Sequence, residues 1–141
     1  MTDDAVALRG GCHCGKLTVS FSATQAAGAL HPRTCDCAFC TKHGAAWLSD
    51  PNGTLAIDAS AVLREYRQGS GSARFLLCGD CGVLAAVVDD AVPLRGAVNA
   101  RCLEGISLGE ETRVSPQQLS PDEKRARWRQ LWTPATLSAS H

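Results

Sequence analysis

The chain has 141 residues, 14 Lys plus Arg against 14 Asp plus Glu, a formal net charge of zero and eight cysteines. A length near 150 residues suits one domain that buries roughly 68–70% of its unfolded surface, and the charge balance argues against a dedicated binder of nucleic acid or anionic membrane. No window approaches ~18 continuous apolar residues, so no membrane span is expected. The start, "MTDDAVALRGGCHCG", has neither the basic region nor the apolar run of a signal peptide. The expected compartment is therefore the reducing cytoplasm, where clustered thiols favour metal binding over disulfides.

In chain order, "KLTVSF" places Leu17, Val19 and Phe21 at alternate positions and reads as a half-buried strand. "TLAIDA" repeats the pattern with Leu55 and Ile57. "AVLREYRQ" leads into the Gly/Ser turn "GSGSAR", and "FLLC" returns as the second half of a hairpin. "VLAAVV" (83–88) and "GAVNARCL" (96–103) are two further strands. Short strands at turn-punctuated spacing predict a mainly β, antiparallel domain. One helix is expected over about 121–132. Ser120 and Glu123 form a capping box, Pro121 suits the first helical position, and Trp128, Leu131 and Trp132 share a face. Residues 1–134 are read as a single domain with a core over about 8–106, and residues 135–141 as a loose tail.

The cysteines fall into Cys12 and Cys14; Cys35, Cys37 and Cys40; Cys78 and Cys81; and Cys102 alone. A Cys-x-Cys pair on an extended chain directs both thiols to one face. A Cys-x-x-Cys pair followed by Gly82 turns two sulfurs toward one point. Two such pairs make a closed tetrahedral site, Cys12, Cys14, Cys78 and Cys81, and all-sulfur coordination selects zinc when no ferredoxin-type run is present. Cys35, Cys37 and Cys40 supply three ligands, which is the count of a catalytic zinc with an open fourth position. Cys102, His43 or a substrate thiol can complete it. Three thiolates leave the ion near a net −1 charge, so the site suits capture of a thiolate more than generation of hydroxide.

"GGCHCGKLTVSF", "CDCAFCTKHGA" and "FLLCGDCGVLA", in this order, resemble the glutathione-dependent formaldehyde-activating enzymes and the centromere protein V-like proteins related to them. The likeness spans roughly residues 8 to 106, and "LSPDEKRARWRQLW" resembles the tail of many members. It implies an Mss4-like, zinc-stabilised β fold. It also implies a structural zinc on Cys12, Cys14, Cys78 and Cys81 and a labile catalytic zinc on Cys35, Cys37 and Cys40. The activity it implies is carbon–sulfur lyase chemistry, in which a small thiol such as glutathione condenses with a small aldehyde such as formaldehyde.

The remaining residues have plainer readings. His13 alternates away from its neighbouring ligands, and Asp36 and Asp80 read as solvated turn residues. Cys102 reads as a small buried hydrophobe, with a redox thiol as the alternative. Trp47 is either a wall of the open site or ordinary core. Lys124, Arg125, Arg127 and Arg129 read as the solvated face of a capped helix. If that helix instead binds a partner, the protein is a non-catalytic zinc-stapled binding module.

Overall fold

The computed structural model describes residues 6–60, 62–69, 71–105 and 107–139. The first strands follow the alternation that their sequences set. β1 (Val6–Gly11) and β2 (Leu17–Ala23) form an antiparallel hairpin, and every second residue of β2 from Leu17 is buried. Next come β3 (Arg33–Cys35), a six-residue helix α1 (Ala38–His43) and β4 (Trp47–Leu48). β5 (Thr54–Ala59) pairs antiparallel with β2. β6 (Leu63–Tyr66), β7 (Ala73–Cys78), β8 (Leu84–Asp89) and β9 (Arg95–Asn99) form an antiparallel meander. β10 (Thr112–Val114) precedes α2 (Pro121–Leu131), and β11 (Thr133–Ala139) follows it.

The strand order is β1-β2-β5-β11-β9-β4-β3-β10, with β8, β7 and β6 continuing from the other edge of β9. The fold is mainly β, as expected, but the sheet is mixed. β11 runs parallel to β5, and β10 runs parallel to β3. The expected loose tail is therefore corrected: residues 135–139 pair with Leu55 to Ala59, and Thr133 and Pro134 pair with Gly96 and Arg95. Residues 140 and 141 lie outside the described residues. β9 ends at Asn99, where the chain enters a 3-10 turn over Ala100–Cys102, so the strand expected through residue 103 stops short.

The central meander is buried on both sides. Leu76, Ala86, Val88 and Val98 pack with Leu8, Val19, Phe21 and Ile57 of the other strands. Their neighbours in sequence, Phe75, Val87 and Ala97, pack with Trp47, Trp128 and Trp132. Successive residues of a strand face opposite ways, so the sheet carries two cores, one on each face. The helix α2 that covers the second face starts as its sequence directs. Ser120 Oγ accepts from the Glu123 N–H at 3.1 Å, and the Glu123 carboxylate accepts from the Ser120 N–H at 2.8 Å.

Buried Asp50 ties β11 into this frame. Its carboxylate accepts from Thr24 N–H and Oγ1, both at 2.7 Å, and from Asn52 N–H at 2.9 Å. Its own N–H donates to Thr133 Oγ1 at 2.8 Å. Burial alone would raise the Asp50 carboxyl, but these hydrogen bonds from Thr24 and Asn52 outweigh it and hold the group below its ordinary value. The resulting stabilisation is full above the unfolded carboxylate value of about 3.9. It is lost as pH falls through the lower folded value. Asp50→Ala should cost about 1–3 kcal/mol by stranding buried N–H donors, read as a lower denaturant midpoint. Asp50→Asn should flatten the acid limb of stability against pH. Unchanged curves for both variants would show that the cluster contributes nothing net.

Candidate functional site

Two turns bring four sulfurs together on the first face of the meander. Cys12 and Cys14 lie in the β1–β2 turn, not on extended chain as expected, and the turn places both thiols on one target by its own geometry. Cys12 N–H donates to Leu17 O at 2.8 Å, and Cys12 Sγ accepts from Leu17 N–H at 3.3 Å. Cys78 ends β7, and Cys81 follows in a turn closed by Gly82 at φ 79°, where a residue with Cβ would be strained. The Sγ atoms of Cys12, Cys14, Cys78 and Cys81 all lie within 4.8 Å of one another. The Cys12–Cys14 and Cys14–Cys78 sulfur separations are each 3.6 Å. Zn–S bonds of ~2.3 Å imply tetrahedral sulfur edges of about 3.8 Å, so these two edges suit a zinc ion. Lys16 and Asp80 pair at 2.5 Å across the two turns, so Asp80 is not merely solvated. Both are exposed, and the pair contributes little.

On the opposite face, Cys35 ends β3, Cys37 caps the N-terminus of α1, and Cys40 lies one turn into it. Cys37 Sγ accepts from Cys40 N–H at 3.4 Å, and Gly44 ends the helix with φ 62°. The three Sγ atoms lie within 4.8 Å of one another. Among the described residues no fourth His, Cys, Asp or Glu joins them. A hydrogen bond from Cys40 is the main cause that holds the Cys35 thiol down at about 6. The same bond, and then burial, push Cys40 up. Trp47 Nε1–H donates to Cys40 Sγ at 3.4 Å, and Gln68 Nε2 approaches Cys37 Sγ at 3.9 Å. Trp47 is thus both core and wall.

The triad opens into a cavity of about 120 Å³. Its apolar walls include Phe75 and Val87 from the sheet, Trp128 and Leu131 from α2, and Trp132 just after it. The two tryptophans stack at 4.6 Å with 8° between their planes. The cavity also carries Arg33, Lys124, Arg127 and Gln68. The basic helix therefore divides. Lys124 and Arg127 turn to the cavity, whereas Arg125 is exposed and pairs with Asp122. The spacing of residues 124, 127, 128 and 131 is the helical signal that would have shown this face. Nothing in the sequence marked Arg33 or Gln68. Burial and then the charge of Arg127 push the Arg33 guanidinium down to about 10.

Neither internal candidate for the fourth ligand reaches the triad. His43 and Cys102 line a second cavity of about 530 Å³ beside the tetrad, together with His13, Cys12 and Cys81. Cys102 is buried, donates to Leu84 O at 3.4 Å, and is pushed up to about 11 by burial and by the neighbouring Cys12 and Cys81. Asp36 accepts a hydrogen bond from Ser115 Oγ and is held in place rather than solvated.

A solved structure of a Rhodobacter sphaeroides protein, a structural genomics target, is similar to this chain. It shows 28% sequence identity and a TM-score of 0.56 over 75% of this chain and 99% of its own. No protein-family model and no curated protein matches the chain. No helix among the described residues is long and apolar enough to cross a membrane.

Cys78→Ser should leave the protein insoluble or strongly lower its Tm, because it opens the junction between turns 64 residues apart. A soluble variant with unchanged Tm would remove the tetrad from any stabilising role. Cys102→Ala should cost about 1 kcal/mol, the common size of a point-mutant effect. Zinc content measured by atomic emission should not change.

Proposed function

We propose that the protein is a zinc-dependent enzyme of carbon–sulfur bond formation and cleavage, acting on the adduct of a thiol with a small aldehyde. Cys12, Cys14, Cys78 and Cys81 hold a structural ion, and Cys35, Cys37 and Cys40 hold the catalytic one. The single observation that carries this reading is the triad: three convergent thiols lining a cavity, with no fourth His, Cys, Asp or Glu among the described residues. Closed four-ligand sites are structural, whereas catalytic sites keep a position free. The motif resemblance supports the class of reaction.

A zinc ion on the triad would supply a Lewis-acidic centre able to take a thiolate as fourth ligand. The chain's residues set the rest. The Trp47 N–H on Cys40 Sγ draws charge from that ligand, and Gln68 has the same relation to Cys37. The apolar walls exclude water and keep the reacting sulfur and carbonyl carbon adjacent, which supplies the advantage of proximity. In the forward direction the thiol sulfur bonds to the carbonyl carbon, and the carbonyl oxygen takes up the proton that the thiol lost. Cleavage reverses each transfer.

A binding module stapled by two zinc ions is the rival reading. The inward turn of Lys124 and Arg127 weakens it, because those charges serve the cavity rather than an open face. Cys37→Ser should remove one zinc while the fold survives, and a moderate chelator should strip the triad before the tetrad. With seven cysteine sulfurs over two ions, an added small thiol should raise the sulfur number per zinc toward four in zinc-edge X-ray absorption. If several different thiols leave that number unchanged, the fourth position is closed to substrate and the binding module becomes the better reading.

A further inference from the structure

We propose that the cavity beside the triad is built for a small carboxylate, so that the thiol taken there is a mercapto acid of about six non-hydrogen atoms. This rests on the reading of the triad as a thiol-binding metal centre and adds to it the identity of the group at the other end of the substrate. Arg33, Lys124 and Arg127 place three positive charges on a cavity whose other walls are largely aromatic and aliphatic. Arg33 is partly buried, and Arg127 lines the same cavity. Its hydrogen bond to Ser49 Oγ at 2.7 Å goes to a neutral group. Among the described residues none of the three cations forms an ion pair, whereas Lys16, Arg67, Arg74, Arg101 and Arg125 all do. Like charges gathered on one small cavity with no paired carboxylate are unfavourable, and an anion bound among them relieves the repulsion. A guanidinium binds a carboxylate through two parallel hydrogen bonds, and partial desolvation strengthens the pairing.

Size narrows the class. A cavity of about 150 Å³ takes a benzene-sized molecule, and this one is about 120 Å³. A mercapto acid such as 3-mercaptopropionate, with about six non-hydrogen atoms, matches that scale. A tripeptide thiol is larger than this and would extend beyond the cavity.

The test uses the zinc-loaded full chain and two isosteric probes, 3-mercaptopropionate and its neutral amide. Calorimetry reads affinity, and zinc-edge X-ray absorption reads entry of sulfur. The acid should bind at least ~10-fold more tightly than the amide, the ordinary worth of a charge-assisted hydrogen bond. Arg127→Gln should reduce the acid to the affinity of the amide. Arg33→Gln should do the same if it folds, and Arg127, on the helix surface, keeps the test decisive if it does not. Glutathione should bind no more tightly than 3-mercaptopropionate. Equal affinities for acid and amide would show that the cations only offset the charge of the thiolates, and the proposal falls. A preference that survives Arg127→Gln overturns it equally. If the acid binds through Arg127 while the sulfur number stays fixed, the carboxylate site stands and the metal–thiol reading falls. The two failures are thereby told apart.

Discussion

Strands β7, β8 and β9 are apolar on both faces, and the rest of the molecule is arranged to cover them twice. An antiparallel sheet commonly leaves one face to water and shows it as alternating polar residues. β8 shows no such alternation; all six of its residues are buried. One face is covered by β1, β2 and β5, and the other by α2 with α1 and Trp47. Each cover brings its own cysteines. The tetrad joins the first cover to the end of β7, and the triad is formed where β3 and α1 meet the second. The two groups are thus separated by the sheet itself, and a change at one need not disturb the other.

This separation sorts the two sites energetically. A structural zinc contributes roughly 10–16 kcal/mol in small metal-binding peptides, comparable with the whole stability of a domain at about 5–15 kcal/mol. An ion on the tetrad therefore bears on whether the first cover stays attached. The triad lies beside a core already closed by Trp47, Phe75, Trp128 and Trp132. A site there can gain and lose a ligand without the sheet coming apart.

Much of this was legible because it is local. Capping of α2 depends on Ser120 and Glu123, three positions apart, and the two cysteine knuckles depend on spacings of two and three. Alternation in β2 and β5 likewise needs only neighbouring residues. What was not legible depends on partners far away in sequence. The parallel seat of β11 against β5 has no local signature, because residues 135–139 read as part of a loose tail until Leu55 and Ile57 lie beside them. Cys102 is spaced no differently from a metal ligand, and only the 3-10 turn after Asn99 places it by the tetrad rather than the triad. Arg33 looks like any charged strand residue until α2 brings Arg127 up to it. The turn at Cys12 and Cys14 was misread because Cys-x-Cys is equally compatible with a strand.

The seat of β11 has a consequence for assembly. β11 is an interior strand, pairing with β5 on one side and β9 on the other, yet it is built from residues 133–139. During synthesis the chain must therefore present β5 with an unpaired edge until more than seventy further residues have emerged. An exposed edge is a template for pairing with other chains, and long-range strand pairing is slow to form. The nascent protein spends that interval with its sheet divided, so its yield in a cell depends on how well that edge is shielded before the last strand arrives.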